Sequence, residues 1–242
     1  MATSLTGPLQ VIGADVLSSN VDAAHTLGAY AETTDGRGFR YFLNGAVDTV
    51  PGLVYQGKAL DATNDQPAGG HAVAASDIGS LTVTTTATLT ATKDEFAGGF
   101  LSVVVTPGQG YTYKIKGNTA ASAGVCTFTL EDPVVVGLTT SSRIIVAQNP
   151  YAGCIVAPAT PTAAIVGVAP GIVEAGRYGW LQVTGPCAVL FTGTGAAGKA
   201  VGTLSGGTIG SAAPAIAATN IIGYHMATGI TAQYALINLT IG

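Results

Sequence analysis

Apolar and polar residues alternate with period two along much of this chain of 242 residues. The longest such run is 81–92, where threonine fills every even position and Leu, Val, Thr or Ala fills the odd positions. Shorter runs occupy 100–106, 111–116, 125–130 and 143–147. Successive side chains on a strand point to opposite faces, so each run predicts a short strand with one buried face. No long segment places apolar residues at helical spacing.

The pattern therefore predicts a mainly β protein, with short antiparallel strands in a barrel-like or sandwich-like core. The runs between 71 and 150 follow one another through tight turns such as 107–110, and they predict an inserted central β module that projects from the rest. Residues 1–70 and 151–242 would then form one discontinuous β domain. Asn44-Gly45, which follows Phe39-Arg-Tyr-Phe-Leu43, predicts a hairpin in that domain.

Charged side chains are unusually scarce in this sequence. They make up 9% of the residues, against roughly 25% in an average soluble domain. From Tyr178 to the C-terminus, Lys199 is the only formally charged side chain. A solvated surface needs charge, so we expect this C-terminal segment to be covered in an assembly.

The same composition excludes several classes of protein. A hydrophobic content of 48% argues against intrinsic disorder, and a net charge of −4 argues against a nucleic-acid partner. The uncharged run 144–173 contains four prolines, which argue against a membrane-spanning helix. The N-terminus lacks a basic region followed by an apolar run, so we expect no secretory signal and synthesis in the cytoplasm. The three cysteines are widely spaced, which predicts buried thiols rather than disulfides or a zinc site.

One segment, Gly193–Ala200, fits the dinucleotide pattern G-x-G-x-x-G and nearly fits a P-loop. A P-loop needs a hydroxyl after its lysine to hold magnesium, whereas Ala200 follows Lys199. A dinucleotide site needs a carboxylate for the ribose, but no acidic residue follows Glu174. We therefore expect an ordinary glycine loop and no cofactor. The sequence has no zinc-protease, calcium-loop or serine-hydrolase motif, so we also expect no metal site, no catalytic residues and no enzymatic activity. A metal held by the loop carboxylates Asp61 and Asp65 is the alternative.

Two groups of arginine and aromatic residues are candidate interface anchors, because Arg, Tyr and Trp are enriched at protein interfaces. The alternative is that Phe39 and Trp180 belong to the core. The first group is Arg37, Phe39, Arg40 and Tyr41, and the second is Tyr151, Arg177, Tyr178 and Trp180.

The order of several short motifs resembles that of small, Gly/Ala/Thr-rich virion proteins of tailed bacteriophages. These motifs are Asp35-Gly-Arg-Gly-Phe-Arg-Tyr41, Gly110-Tyr-Thr-Tyr-Lys-Ile-Lys116, Leu130-Glu-Asp-Pro133, Asn149-Pro-Tyr151, Val166-Gly-Val-Ala169 and Gly176-Arg-Tyr-Gly-Trp-Leu181. The C-terminal portion is similar to capsid decoration, or cement, proteins. The resemblance implies a structural protein on the capsid surface of the virion, made in the host cytoplasm. It also implies two partners, the major capsid protein and sister copies in a homotrimer, with no nucleic-acid or membrane partner.

Two other functions remain open from the residues alone. The threonine face of 81–92 and the pair Tyr111 and Tyr113 would suit a tail or fibre component that binds a host receptor or glycan. An enzyme is motivated only by the glycine loop that contains Lys199.

Overall fold

A computed structural model of the chain describes residues 9–11, 13, 15–62, 64–203, 210–215 and 220–241. In these residues 41% of the chain is strand, the sheets are antiparallel in character, and one of them is a half-barrel. The predicted mainly β fold with a barrel-like or sandwich-like core is confirmed. A 3-10 turn at Asp15–Leu17 interrupts the strands.

The strands are short except for one long central strand. In chain order they are β1 (Leu9–Gln10), β2 (Tyr30–Glu32), β3 (Gly38–Leu43), β4 (Val54–Gln56), β5 (His71–Ala72), β6 (Thr82–Thr84), β7 (Phe100–Val105), β8 (Thr112–Asn118), β9 (Thr127–Leu130), β10 (Arg143–Ala147), β11 (Ile155–Val156), β12 (Ile165–Val168), β13 (Tyr178–Phe191), β14 (Ala200–Gly202), β15 (Ala213–Pro214), β16 (Ile221–His225) and β17 (Gln233–Thr240).

The chain divides into two compact units. Unit 1 comprises residues 1–59 and 150–242, and unit 2 comprises residues 60–149. The first boundary lies eleven residues before the position that the sequence suggests. The reason is that segment 61–70 bonds within unit 2, where the backbone N–H of Val146 donates to the carbonyl of Asp65 over 2.9 Å.

Unit 1 is built around β13. In the described residues, the main sheet path runs β1-β2-β3-β13-β17-β16-β14-β15, with β4, β11 and β12 joined beside it. The first half of β13 pairs with β3 and its second half pairs with β17, both antiparallel. Apolar side chains from these strands form three buried clusters, and the one beneath β13, β16 and β17 includes Val189, Phe191, Ile237 and Leu239.

Unit 2 holds a sheet of six described strands in the order β5-β10-β7-β8-β9-β6. One face of this sheet lies on a core that includes Phe96, Leu101, Ile115 and Phe128, with the rings of Phe96 and Phe128 edge to face at 5.7 Å. The other face is mixed, with polar side chains such as Thr84, Lys114 and Thr127 beside the partly exposed Phe100 and Ile145.

The long threonine strand predicted at 81–92 is wrong. Only Thr82–Thr84 is a strand, and Thr88 adopts a left-handed backbone with φ of 74° that ends the extended run. Leu89 is still buried in the core, but it lies in a loop. Its backbone N–H donates to the carbonyl of Gly124. The alternation therefore marks burial at Val83, Thr85 and Leu89, but not at Leu81 and Ala87, which are exposed.

The hairpin predicted at Asn44-Gly45 is also wrong, because β3 pairs with β2 and β13 rather than with β4. Asn44 is buried, and its side-chain Nδ2 donates to the carbonyls of Val47, Val173 and Glu174. The asparagine thus ties loops together instead of making a two-residue turn.

Candidate interaction surface

The outward side of the C-terminal sheet in unit 1 is apolar. On β17, Ala235, Ile237 and Leu239 are buried, whereas Tyr234 and Leu236 are 55% and 44% exposed. This strict alternation means that one face of β17 covers the core and the other face has no covering within the described chain.

The strand register brings the exposed residues of neighbouring strands together. Leu236 lies opposite Ala188 of β13, and Asn238 lies between Pro186 of β13 and Tyr224 of β16. The backbone N–H of Met226 donates to the carbonyl of Leu236 over 3.0 Å, which extends the row past the end of β16. We call this surface the outer face, and it consists of Pro186, Ala188, Tyr224, Met226, Tyr234, Leu236 and Asn238.

The outer face is large for an apolar surface and carries no charge. Tyr224 and Met226 are 46% and 48% exposed, close to the values for Tyr234 and Leu236. Four such side chains at half exposure present on the order of 400 Å², which matches the largest apolar patches of typical monomers. None of the residues of the outer face is charged. Apolar patches of this size are often functional surfaces, and the absence of charge makes the outer face a candidate binding surface.

A cleft of about 420 Å³ adjoins the outer face. Its walls include Pro51, Pro170, Pro186 and Tyr234, and Arg37 lies at the cleft as its one lining residue with a formal charge. The Tyr234 ring packs directly over Gly52, where a Cβ would lie 2.8 Å from the ring Cδ1. The cleft therefore extends the apolar surface toward the guanidinium of Arg37.

Arg37 itself is paired. Its Nε lies 2.9 Å from Oδ2 of Asp35, and both side chains are partly exposed. The Thr33 hydroxyl donates to the Asp35 carboxylate and, together with Arg37, holds the pKa of that carboxyl below its ordinary value. The pair keeps a compact, neutral turn beside the cleft.

The first predicted group of interface anchors is split by burial. Phe39 and Tyr41 are fully buried, so they are core residues and not surface anchors. Arg37 and Arg40 are half-buried. Arg40 donates from Nη1 to the carbonyl of Gly28 over 2.9 Å, and its guanidinium lies 5.1 Å from the centre of the Tyr30 ring.

Two members of the second predicted group, Tyr178 and Trp180, pack against Tyr41 of the first group. Trp180 is only 3% exposed, and its ring meets Tyr41 edge to face at 5.0 Å. Tyr178 stacks on the other side of Tyr41 at 5.9 Å and is half-buried. Trp180 is therefore a core residue, which is the alternative left open by the sequence. The reason is that β3 and β13 are neighbours and their aromatic side chains pack on the same face.

The remaining two members lie apart from that aromatic cluster. Tyr151 is half-buried against Gly28, and burial raises the pKa of its phenol. Arg177 is half-exposed and pairs with Glu174 over 2.7 Å. The outer face contains none of the eight predicted anchors. Its signal in the sequence is the alternation of 233–240 combined with the absence of charge.

Three backbone N–H groups of the glycine loop 193–199 form hydrogen bonds within the protein. Gly193 N–H donates to the Thr231 hydroxyl at 2.9 Å, and Gly198 N–H donates to the carbonyl of His225 at 2.8 Å. Gly195 exchanges two backbone hydrogen bonds with Gly229. A phosphate-binding loop needs such N–H groups to point at the ligand, and these three are engaged within the protein.

The tyrosine pair of unit 2 is not a flat platform. Tyr113 is buried, and its hydroxyl accepts the N–H of Val135 at 3.2 Å. Tyr111 is 46% exposed and stacks against it with ring centres 6.5 Å apart. Only one of the two rings is open to a ligand.

Comparisons with known proteins leave the chain without an assigned family. No protein-family model, curated protein or solved structure matches it. Within the described ranges no cluster of three or more His, Cys, Asp or Glu side chains could hold a metal ion. The same part of the chain contains no helix long and apolar enough to cross a membrane.

Proposed function

We propose that this chain is a structural virion protein that binds the outside of a bacteriophage capsid and stabilises the shell. The observation that carries the proposal is the outer face, which is apolar, uncharged and built on paired strands of one sheet. Its partner would be a neutral surface of the major capsid protein, because a charged partner would lose solvation without gaining a counter-charge. The resemblance of the motif order to decoration proteins supports the same role.

The size of the outer face favours binding in many copies. Burying on the order of 400 Å² of apolar surface contributes about 10 kcal/mol. Association itself costs about 4–15 kcal/mol, so one copy on its own would bind weakly. Copies linked to one another bind a repeating lattice far more tightly, because each later contact is intramolecular. We therefore include sister copies, in a homotrimer, among the partners.

The experiment compares two glutamate substitutions on capsids that lack the protein. Leu236→Glu places a carboxylate in the outer face, and the control Ile78→Glu places one at an exposed apolar position of unit 2, where the side chain is 72% exposed against 44% for Leu236. An unpaired carboxylate buried at an interface costs several kcal/mol, so Leu236→Glu should lower capsid affinity at least about 100-fold. Ile78→Glu should bind like the wild type. Co-sedimentation measures the binding, and heat-induced release of the genome measures the stabilisation.

Two outcomes would count against this function. The first is a wild-type protein that folds, by circular dichroism, but neither binds such capsids nor delays their rupture. The second is a folded Leu236→Glu variant that binds and stabilises capsids as well as the wild type does.

A tail or fibre component that binds a glycan is the second candidate, and one observation favours it. The exposed side of the unit 2 sheet carries rows of hydroxyls, with Thr84 and Thr127 joined at 3.0 Å and Ser102 and Thr112 joined at 2.8 Å. Binding to a glycan array that is lost in Thr127→Val but kept in Leu236→Glu would support this role over decoration.

A further inference from the structure

His225, the last residue of β16, is buried, and its ring makes no hydrogen bond with any described residue. The residue is 3% exposed, and within the described part of the chain neither Nδ1 nor Nε2 has a hydrogen-bond partner at ordinary distance. The ring of Phe191 meets it edge to face at 4.7 Å. Buried polar side-chain atoms are nearly always paired, so two unpaired nitrogens on one ring require an explanation.

Two glycine loops close over this ring. A Cβ on Gly229 would lie 2.6 Å from Cε1 of His225, and a Cβ on Gly195 would overlap the ring. The two glycines hold each other through backbone hydrogen bonds of 3.0 and 3.1 Å. The backbone N–H of His225 also donates to the carbonyl of Lys199 at 2.9 Å. The ring therefore fits only because both loops lack side chains at the contact.

The described elements that pack around the ring offer no counter-charge to an imidazolium. From the loop 193–199 the only charged side chain is Lys199, which is itself cationic, and the loop 226–231 has no titratable side chain. On β13 the nearest titratable group is Cys187, and burial raises the pKa of that thiol to about 12. Tyr224 and Tyr234 lie on the opposite face of the sheet.

None of the elements named above carries a carboxylate side chain, since the sequence has no Asp or Glu after Glu174. Burial accordingly lowers the pKa of His225, and a backbone contact with Ala227 opposes only part of the shift. A proton on this ring would have to be carried without a counter-charge, which a buried site tolerates poorly.

We propose that His225 makes the closure of the two glycine loops sensitive to acid, so that protonation opens the loop pair and alters the adjoining edge of the outer face. The link to the outer face is covalent, because Tyr224 and Met226 directly flank His225 in the chain and both belong to that face. This inference goes beyond the proposed function and does not rest on it.

The direction follows from proton linkage. Above the ordinary histidine pKa of about 6.5, the ring is neutral in both the open and the closed state, and closure is favoured. As the pH falls below that value, the open state takes up the proton first, and the closed state loses stability. The loss continues until the pH passes the lowered pKa of the closed state.

The experiment is a pH series from 8 to 5 on the wild-type chain, read by NMR. The Cε1 signals of the three histidines give their protonation, and hydrogen exchange at Gly195 and Gly229 gives loop opening. After correction for the intrinsic pH dependence of exchange, we expect opening to rise up to about tenfold for each pH unit below 6.5. His225→Gln should abolish this rise, whereas the control variant His25→Gln should keep it.

Two results would overturn the proposal. One is a His225 that titrates at its ordinary pKa while the protection of Gly195 and Gly229 stays constant. The other is a folded His225→Gln variant with the wild-type pH dependence. If that variant does not fold, the wild-type series still decides, because the ring signal and both glycine amides are read in the same sample.

Discussion

The close fit between Gly195 and His225 makes a double-mutant cycle informative. In Gly195→Ala the new methyl group would lie 2.5 Å from Cε1 and 2.8 Å from Cδ2 of His225, far inside ordinary van der Waals contact. The ring cannot retreat, because Phe191 and the Gly229 backbone lie against it. Overpacking of a closed site typically costs 1–3 kcal/mol, and with no room to yield we expect about 2–3 kcal/mol here.

His225→Ala removes the atoms that the new methyl group would strike. The double variant Gly195→Ala with His225→Ala should therefore be no less stable than His225→Ala alone. The expected coupling is about 2 kcal/mol, well above the few tenths typical of independent sites. For a unit of this size, Gly195→Ala alone should lower Tm by about 4–10 °C.

Urea unfolding followed by tryptophan fluorescence measures this cycle. Trp180 is the single tryptophan and is buried in unit 1, so its emission reports that unit. Gly137→Ala is the control, because a Cβ there meets its nearest atom at 3.6 Å, and thermal scans by circular dichroism should show little change. Additive effects of the two unit 1 substitutions would refute the packing argument, since they would mean that Gly195 and His225 do not share one space.

Two further predictions concern the unit boundaries and the thiols. A short Gly-Ser link should be able to replace residues 60–149, because Gly57 lies against the Pro150 backbone. We expect the shortened chain to fold as unit 1 and to keep its capsid binding. A folded product that no longer binds would show that unit 2 is needed. Burial raises the pKa of Cys154 and of Cys187 to about 12, so both should resist alkylation at pH 8 until urea unfolds the chain, and labelling of the native protein would contradict this.

The sequence predicts strands well where alternation and pairing agree. The run 143–147 coincides with β10, and the run 100–106 extends one residue beyond the end of β7. Each of these strands has one face on a core and one face outward, which is the condition that period two describes. Such strands can be read from side-chain chemistry alone.

Prediction fails where a side chain reaches the core or bonds the backbone from a loop. Leu89 keeps the alternating pattern of 81–92 although the chain has left the sheet after Thr85, which still bridges to Val73. Asn44 resembles a hairpin residue, but its amide joins segments about 130 positions apart in the sequence. Both errors arise because tertiary contacts override a local preference.

The candidate site could be predicted only in part, and burial explains the difference. The composition directs attention to the C-terminal segment, where the outer face lies, but the aromatic groups direct it to Tyr41 and Trp180, which are core. Arg, Tyr and Trp serve equally well as interface anchors and as core residues with a polar tip. Only the register of β13, β16 and β17 distinguishes exposed tyrosines from buried ones.

The scarcity of charge after Tyr178 has different causes in the two halves of β13. From Gly179 to Val183 every residue of β13 is buried, so apolar clusters of the chain itself account for the missing charges. From Pro186 onward the strand alternates between exposed and buried positions, and its exposed side is still uncharged. A solvated face with that freedom would ordinarily carry lysine or glutamate. The first half of the strand therefore needs no partner, and the evidence for a partner rests on the second half and the strands beside it.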